Sequence, residues 1–594
     1  MRTPRGLLVG ACCALLSLAS ASCVTSQPPS ASAAAKPADP LASLHPVSPV
    51  MLHDPAPGDW LQWGRTYDGQ NFSPLKRINK ETVNRLAPAW RTPVPGGLSM
   101  PTPLVHDGVM FLQTAPDLVL ALDATTGKEL WRRAYKPVGG STMKMGLALS
   151  GGRVFVPTSD LHLIALDART GETAWDHTIE LSAPATNRTV FNLRSAPLIV
   201  GDKVIQGVTA SAGPGGGYVV ALDINTGKEV WRFFTLARPG APGGNTWNDL
   251  PLDKRTGGSV WDQGTWDREL NLIYYGVAPT YDTAPLLKPS TLPGVTNEAL
   301  YTNATIALDA NTGKLKWYYQ HVPNDQWDLD WAFERTLVTI NVGGKDRKVV
   351  MNVGKMGILD ALDAATGQYL FSIDAGTQNI VTAIDPKTGV KAIDPQRYPD
   401  PSRETVYCPG PSGARAWPPT SYSPRTGLLY LPLTEWCEKF GMQGSSLLSA
   451  PGGKISDADH PDALKDGKMG RLQAMDLGGK KLGWTHDLDA PISTSTLSTA
   501  GGVVFIGDLD PALKAFDDRD GKLLWSAPLD ANPSSTVITY SVGQTQYVAV
   551  VTGLSNFHVN AMVSRYQNFR TKIGKPAPTP KGAPAIVVFK LGGK

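Results

Sequence analysis

The sequence predicts an all-β protein, an eight-bladed β-propeller, on three observations. The first is a motif that recurs seven times: ALDATTGKELW at residues 121–131, then ALDARTGETAW, ALDINTGKEVW, ALDANTGKLKW, ALDAATGQYLF, AMDLGGKKLGW and AFDDRDGKLLW. In each, an Asp stands eight residues before an aromatic, from Asp123 and Trp131 to Asp517 and Trp525. The second is the alternation of apolar residues before each Asp, as in LVLAL and HLIAL, which is the pattern of a half-buried strand. The third lies at the ends. AIVVFKLGGK (residues 585–594) is the first half of a motif, and LAPAW, ending at Trp90, fits as its missing second half.

Each part of the motif has a physical task. The Asp ends its strand, because a short carboxylate can accept from nearby backbone N–H groups in a turn. Gly supplies the positive φ of a tight turn. The second strand then presents a large aromatic at a fixed height, which one hairpin cannot bury alone. A ring of four-stranded blades can, by packing each aromatic on the next blade. Unrelated hairpins in a sandwich are the alternative. Pairing the last strand with the early one closes the ring, removes the two exposed sheet edges and brings the blade count to eight.

Composition narrows the rest. Sixty Gly and 49 Pro in 594 residues suit a turn-rich β protein. The net charge of +4 is small for this length and implies neither nucleic acid nor a membrane surface as partner. Residues 1–22 read as a signal peptide, with Arg2 and Arg5 before an apolar run at 7–18 and a small-residue site at Ala19-Ser20-Ala21. Cys23 then reads either as a lipid-anchored first residue or as an ordinary one. Residues 23–55, rich in Ser, Ala and Pro, read as a disordered tether, and 56–594 as the propeller. Of five cysteines only Cys408 and Cys437 fall in the folded part, where an exported protein pairs them. No Cys-x-x-Cys-His occurs, so no covalent haem is expected. Two long interruptions of the repeat, 232–308 and 372–475, are the expected sites of function, since loops on a rigid scaffold carry binding residues.

The stretches GDWLQWGRTYDGQNFSPL, GGSVWDQGTWDRELNLIYYG, NDQWDLDW, CPGPSGARAWPPTSYSPRTGLLYLP and GGVVFIGDLDPALKAFD, in that order, resemble the quinoprotein alcohol dehydrogenases. These are periplasmic eight-bladed propellers that use pyrroloquinoline quinone (PQQ) and a metal ion. The resemblance runs from about residue 58 to 593.

The resemblance implies roles for particular residues. Asp328 matches the catalytic base, since a carboxylate can take the alcohol proton as hydride leaves for the quinone. Asp330 matches a second carboxylate of lanthanide-using members. Together they are the carboxylates left to hold an ion, calcium or a lanthanide. Trp261 matches the floor under the planar cofactor, Lys355 a basic residue on the quinone oxygens, and Trp417 an aromatic near the pocket. Cys408 and Cys437 match a family disulfide.

The departures are as informative. Ala212 stands at the place of a metal-binding Glu, Pro279 at that of a metal-binding Asn, Met100 at that of a Glu and Met145 at that of an Arg. An adjacent cysteine pair of the family is absent. Arg194, in place of a Thr, is positioned to pair a cofactor carboxylate. Met100, Met143 and Met145 read either as an apolar, adaptable wall suited to a bulkier, less polar alcohol or as ordinary core packing. The expectation is an exported PQQ-dependent alcohol dehydrogenase that hands electrons to a separate cytochrome c or copper protein. The alternative is a cofactor-free periplasmic scaffold.

Overall fold

The repeats build sheets of one design. The computed structural model describes residues 39–592 except 141, 182–187, 401 and 442–454. The leader and Cys23 lie outside the described residues. Among those described, seven sheets have four antiparallel strands, and an eighth adds to its four a fifth, parallel strand, Phe72–Ser73. The first runs Leu104–His106, Val109–Thr114, Leu118–Asp123 and Glu129–Ala134. Its first three strands are buried and its last is largely exposed. The other inner strands are Ala148–Ser150, Leu198–Val200, Thr265–Asp267, Thr336–Val342, Ser421–Ser423, Leu497–Thr499 and Ile538–Val542.

The eighth sheet joins the two ends of the fold. Ala585–Leu591 pairs with Thr545–Thr552 on one side and with Leu86–Pro93 on the other. Leu86 lies opposite Leu591, and Pro93 opposite Ala585. The early strand therefore completes a sheet begun by the late ones.

The motif works as its residues suggest. Asp123 Oδ1 accepts from the N–H groups of Thr125 at 2.7 Å and Thr126 at 3.2 Å. Asp309 does the same for Asn311 and Thr312. Ala121 lies opposite Trp131, and Ala221 opposite Trp231, so a small side chain leaves room for each indole. Each indole then reaches the next sheet. Trp131 Nε1 donates to Ala168 O at 3.1 Å, Trp175 to Ile224 O at 3.1 Å and Trp231 to Ala310 O at 3.2 Å. Trp317 reaches Ala364 O, Trp484 reaches Asp518 O, and Trp90 of the closing strand reaches Ala124 O. The acceptor is always the residue after the motif Asp. Phe371 has no N–H to give, and the Lys480 ammonium sits 5.2 Å from its ring centre instead. Trp525 meets Phe589 of the eighth sheet edge-on at 5.5 Å. Docking thus passes from sheet to sheet and returns to the first.

The motif Gly has a second reason to be Gly. Gly313 takes φ +68°, and a Cβ there would lie 2.4 Å from the Trp231 ring.

Two expectations need correction. The tether drawn to residue 55 is too long, because Leu44, Val47 and Leu52 are buried. Val47 bridges to Gly151, and Ser48 caps a short helix, Pro49–His53. Three apolar anchors outweigh the Pro-rich composition around them. The sequence reading also passes over a third insertion, residues 553–584, which carries the helix Phe557–Lys572.

The Gly313 contact can be tested against a control. Gly343 also has positive φ, +64°, but nothing lies near its Cβ position. Gly343→Ala is expected to cost about 1 kcal/mol of backbone strain. Gly313→Ala is expected to lower the thermal unfolding midpoint clearly further, because the docked indole must also move.

Candidate active site

One position recurs around the ring, four residues before an inner strand. It is Arg194 before Leu198, Trp261 before Thr265 and Trp417 before Ser421. These loops converge on a cavity of about 430 Å³. Trp261, Asp328, Asp330, Lys355, Arg194 and Trp417 all line it, so the six candidates spread over 224 residues of sequence meet in one place.

Asp328 is presented by a clamped turn. Asp325 accepts from Trp327 N at 2.9 Å and Leu329 N at 2.8 Å, and from Asn303 Nδ2 at 3.0 Å. The turn holds Asp328 at φ +59°, a conformation that Asp tolerates better than most residues. Lys355 lies in the turn between Lys345–Val353 and Ile358–Asp363. Its N–H donates to Asp330 O at 2.9 Å. Its ammonium donates to Asp328 O at 2.8 Å and lies 3.0 Å from Asp328 Oδ2 and 2.5 Å from Asp330 Oδ2. The other carboxylate oxygens, Asp328 Oδ1 and Asp330 Oδ1, are buried without a partner.

Burial sets the protonation of this trio. It lifts the Asp328 carboxyl well above its ordinary value, against the pull of Lys355 and with a further push from Asp330. Burial raises Asp330 too, again against Lys355. Burial works against the Lys355 ammonium, but the two carboxylates outweigh it and hold it above the ordinary lysine value.

The aromatic floor is Trp261, 3 % exposed, with Trp417 meeting it at 5.1 Å and 49°. Trp261 Nε1 is buried without a partner. Met100, Met143 and Met145 do not line the cavity. They are buried in one apolar cluster with Trp261, Trp63 and Phe333, so they are core packing rather than a substrate wall. Arg194 Nε donates to Thr142 Oγ1 and Asn192 Oδ1, both at 3.1 Å. Burial lowers its pKa to about 10, which leaves it charged at neutral pH.

The interruption 372–475 forms the roof. Its strands Thr405–Tyr407, Cys437–Phe440 and Ser456–Ala458 make a small sheet, stapled by the Cys408–Cys437 disulfide. Several cavity residues had not been singled out in the sequence: Ser211, Tyr281, Glu438, Phe557, His558 and Arg565. The helix bearing the last three was legible. Apolar residues recur at Val559, Met562, Val563, Tyr566 and Phe569, after an Asn556 whose side chain accepts from Val559 N.

A closed ring of indole-docked sheets with a charged, aromatic-floored cavity where its loops converge defines a propeller enzyme. Comparison gives the family. The model of the PQQ family, "glucose/ethanol/alcohol dehydrogenase, beta-propeller domain", matches residues 60–378 and 441–548. The chain is 30% identical to the quinohemoprotein alcohol dehydrogenase ADH-IIG of Pseudomonas putida, over 89% of this chain and 79% of that one. It is 33% identical to ADH IIB of the same organism, over 85% and 74%. The solved structure of ADHIIG superposes with a TM-score of 0.79 at 29% identity, covering 93% of this chain and 83% of that one. A europium-containing methanol dehydrogenase also gives 0.79, at 27% identity, covering 91% and 99%. The chain belongs to the PQQ-dependent alcohol dehydrogenase family.

Lys355→Met would leave two buried carboxyls with no cation, a change expected to cost about 3 kcal/mol near neutral pH. Both acids already titrate above their ordinary value, and the loss of Lys355 raises them further. An acid whose folded pKa is raised supports the fold at low pH and loses that support as pH rises. The deficit against the parent protein should therefore shrink towards pH 4 and grow towards pH 8 in thermal unfolding.

Proposed function

We propose that the protein oxidises an alcohol to an aldehyde or ketone with PQQ held over Trp261, and passes the electrons to a separate carrier, a cytochrome c or a copper protein. The observation that supports this most is the Asp328 carboxylate, which belongs to a cavity-lining side chain, has Oδ1 without a partner by hydrogen-bond geometry and is fixed by the Lys355 ammonium at 3.0 Å. A scaffold gains nothing from such a group, because a buried acceptor left unpaired costs stability.

The donor set suits a flat polyanion. Trp261 offers a broad apolar face and an indole N–H with no other use. The Arg194 Nε partners are neutral oxygens, so its charge remains for a carboxylate of the cofactor. When bound, PQQ supplies the two-electron acceptor for the hydride. Asp328 accepts the hydroxyl proton of the alcohol at its free oxygen. Lys355 keeps Asp328 oriented and stabilises negative charge that develops beside it.

A metal ion is the less supported part. Asp328 Oδ1 and Asp330 Oδ1 would hold it, but calcium takes six to eight oxygens. Positions 212 and 279 contribute Ala and Pro. The cofactor and water would have to complete the shell, with Lys355 and Arg194 sharing the electrostatic task. Export to the periplasm, as a free or Cys23-anchored protein, belongs to the same proposal. The leader-like start and the disulfide support it.

The test is reconstitution of purified protein with PQQ, with calcium, with a lanthanide or with chelator. Saturable PQQ binding and alcohol-dependent dye reduction are expected. Arg194→Met should weaken PQQ binding, and Asp328→Asn should lower kcat by about 10²–10⁴-fold while PQQ still binds. No PQQ binding under any metal condition would leave the scaffold reading.

A further inference from the structure

The cavity is already balanced in charge by its own side chains. Among the described residues its acids are Asp328, Asp330 and Glu438, and its permanent cations are Arg194, Lys355 and Arg565. Glu438 is committed to the roof. It accepts from Ser412 N at 2.8 Å and from Ser412 Oγ at 3.2 Å, and it pairs with Arg565. The two aspartates share Lys355. Arg194 donates through Nε to neutral oxygens and has no ion pair among the described residues. The member of the set left over is therefore positive.

Lys355 has the surroundings of a bound metal ion. Its ammonium meets Asp328 O at 2.8 Å, Asp328 Oδ2 at 3.0 Å and Asp330 Oδ2 at 2.5 Å. An ammonium carries three donors, so three oxygens are as many as it can serve. The residue is held along its length. Its N–H donates to Asp330 O at 2.9 Å, and its carbonyl accepts from Ala414 N at 2.8 Å. Gly413 lies against the stem, where a Cβ would come within 2.7 Å of Lys355 Cγ.

A divalent or trivalent ion finds little left to bind. Asp328 Oδ1 and Asp330 Oδ1 are the far oxygens of carboxylates whose near oxygens already hold a cation. Ser211 and Tyr281 add only neutral hydroxyls to the lining, and Ala212 and Pro279 have no side-chain donor. Calcium takes six to eight oxygens, and repulsion from the ammonium grows with the charge of the ion. An anion, by contrast, meets the unpaired charge of Arg194.

We propose that Lys355 is the resident cation of the cavity, in the place of the family's metal ion, and that the protein binds PQQ and oxidises alcohol without a metal. The balance of the reaction is unchanged: the alcohol carbon gives a hydride to the quinone, and the hydroxyl proton goes to Asp328. The inference rests on the PQQ reading of the site and deepens it by naming the group that supplies the positive charge.

The experiment uses the full chain, stripped of metal with EDTA and checked for metal content by mass spectrometry. PQQ affinity is read from tryptophan quenching in EDTA, in calcium and in lanthanum, with alcohol-dependent dye reduction beside it. Affinities and rates are expected to agree within about threefold. A larger gain on adding either ion overturns the proposal and leaves the PQQ reading standing. A second arm needs no cofactor. Terbium luminescence, sensitised by Trp261 and Trp417 in the lining, is titrated on the parent, Asp330→Asn, Lys355→Ala and the double variant. Parent and Asp330→Asn should give the same curve. Lys355→Ala should gain a site about tenfold or more tighter than any in the parent, and the double variant should lose it. Parent luminescence that Asp330→Asn abolishes overturns the proposal, and so does a folded Lys355→Ala that behaves as the parent. If Lys355→Ala does not fold, the comparison of parent with Asp330→Asn decides. No PQQ binding in any buffer overturns the PQQ reading and this proposal with it, while terbium still shows whether Lys355 keeps a metal ion out.

Discussion

Six indoles of this protein, from Trp90 to Trp484, are each held by the turn of the next sheet, and the rest of the structure depends on that contact. The indole N–H reaches the carbonyl after the motif Asp, and its ring lies on the motif Gly. A residue with a side chain at that Gly would lift the ring and open the seam. Because the docking passes from sheet to sheet and returns through Trp525, Phe589 and Trp90, no sheet end is left to fray. A closed ring gives fixed positions from which loops can converge. The site takes advantage of this: Arg194, Trp261 and Trp417 occupy equivalent places in different sheets, yet one is a cation and two are aromatic platforms. The repeat supplies the geometry, and substitution at one place in it supplies the chemistry.

The charges in the cavity form a balanced set. Lys355 is locked between two buried acids, and each distance follows from backbone ties: Asp325 clamps the turn before Asp328, and Lys355 N binds the Asp330 carbonyl. Burial still raises both carboxyls above their ordinary values, and Lys355 pulls against that rise. Arg194 stands apart from this trio: its Nε donates to neutral oxygens, its guanidinium lies 5.1 Å from the Phe557 ring centre, and it has no ion pair among the described residues. The proposed reaction would divide these charges between two tasks, activating an alcohol and holding a polyanion.

What was legible in the sequence follows from the range of the forces involved. The motif turns are local, since Asp, Thr and Gly act within a few residues of one another, so the sheets could be read directly. Closure was legible because a half motif at each end has one natural partner. Trp261, Asp328, Asp330, Lys355, Arg194 and Trp417 were found through motifs, and the fold brings all six together. The methionines were ambiguous in the sequence, because an apolar residue facing a pocket looks the same as one packed behind it. His558 and Arg565 were missed because they come from an insertion without a repeat. Their helix carried an apolar period and an Asn cap, but its place over the cavity depends on contacts with Glu438, Ser412 and Asp457 more than a hundred residues away. The tether was overdrawn for a related reason: composition averages over a segment, while three buried side chains decide whether it packs.

A single-turnover experiment reaches the centre of this account. PQQ-loaded protein is mixed with an alcohol without any electron acceptor, and the absorbance of the cofactor is followed. One equivalent of cofactor should be reduced by the parent protein, with next to none reduced on the same time scale by Asp328→Asn carrying a full complement of PQQ. Reduction at the parent rate in Asp328→Asn would contradict the assignment of the base, and with it the reading of the Asp328, Asp330 and Lys355 cluster as the reacting centre.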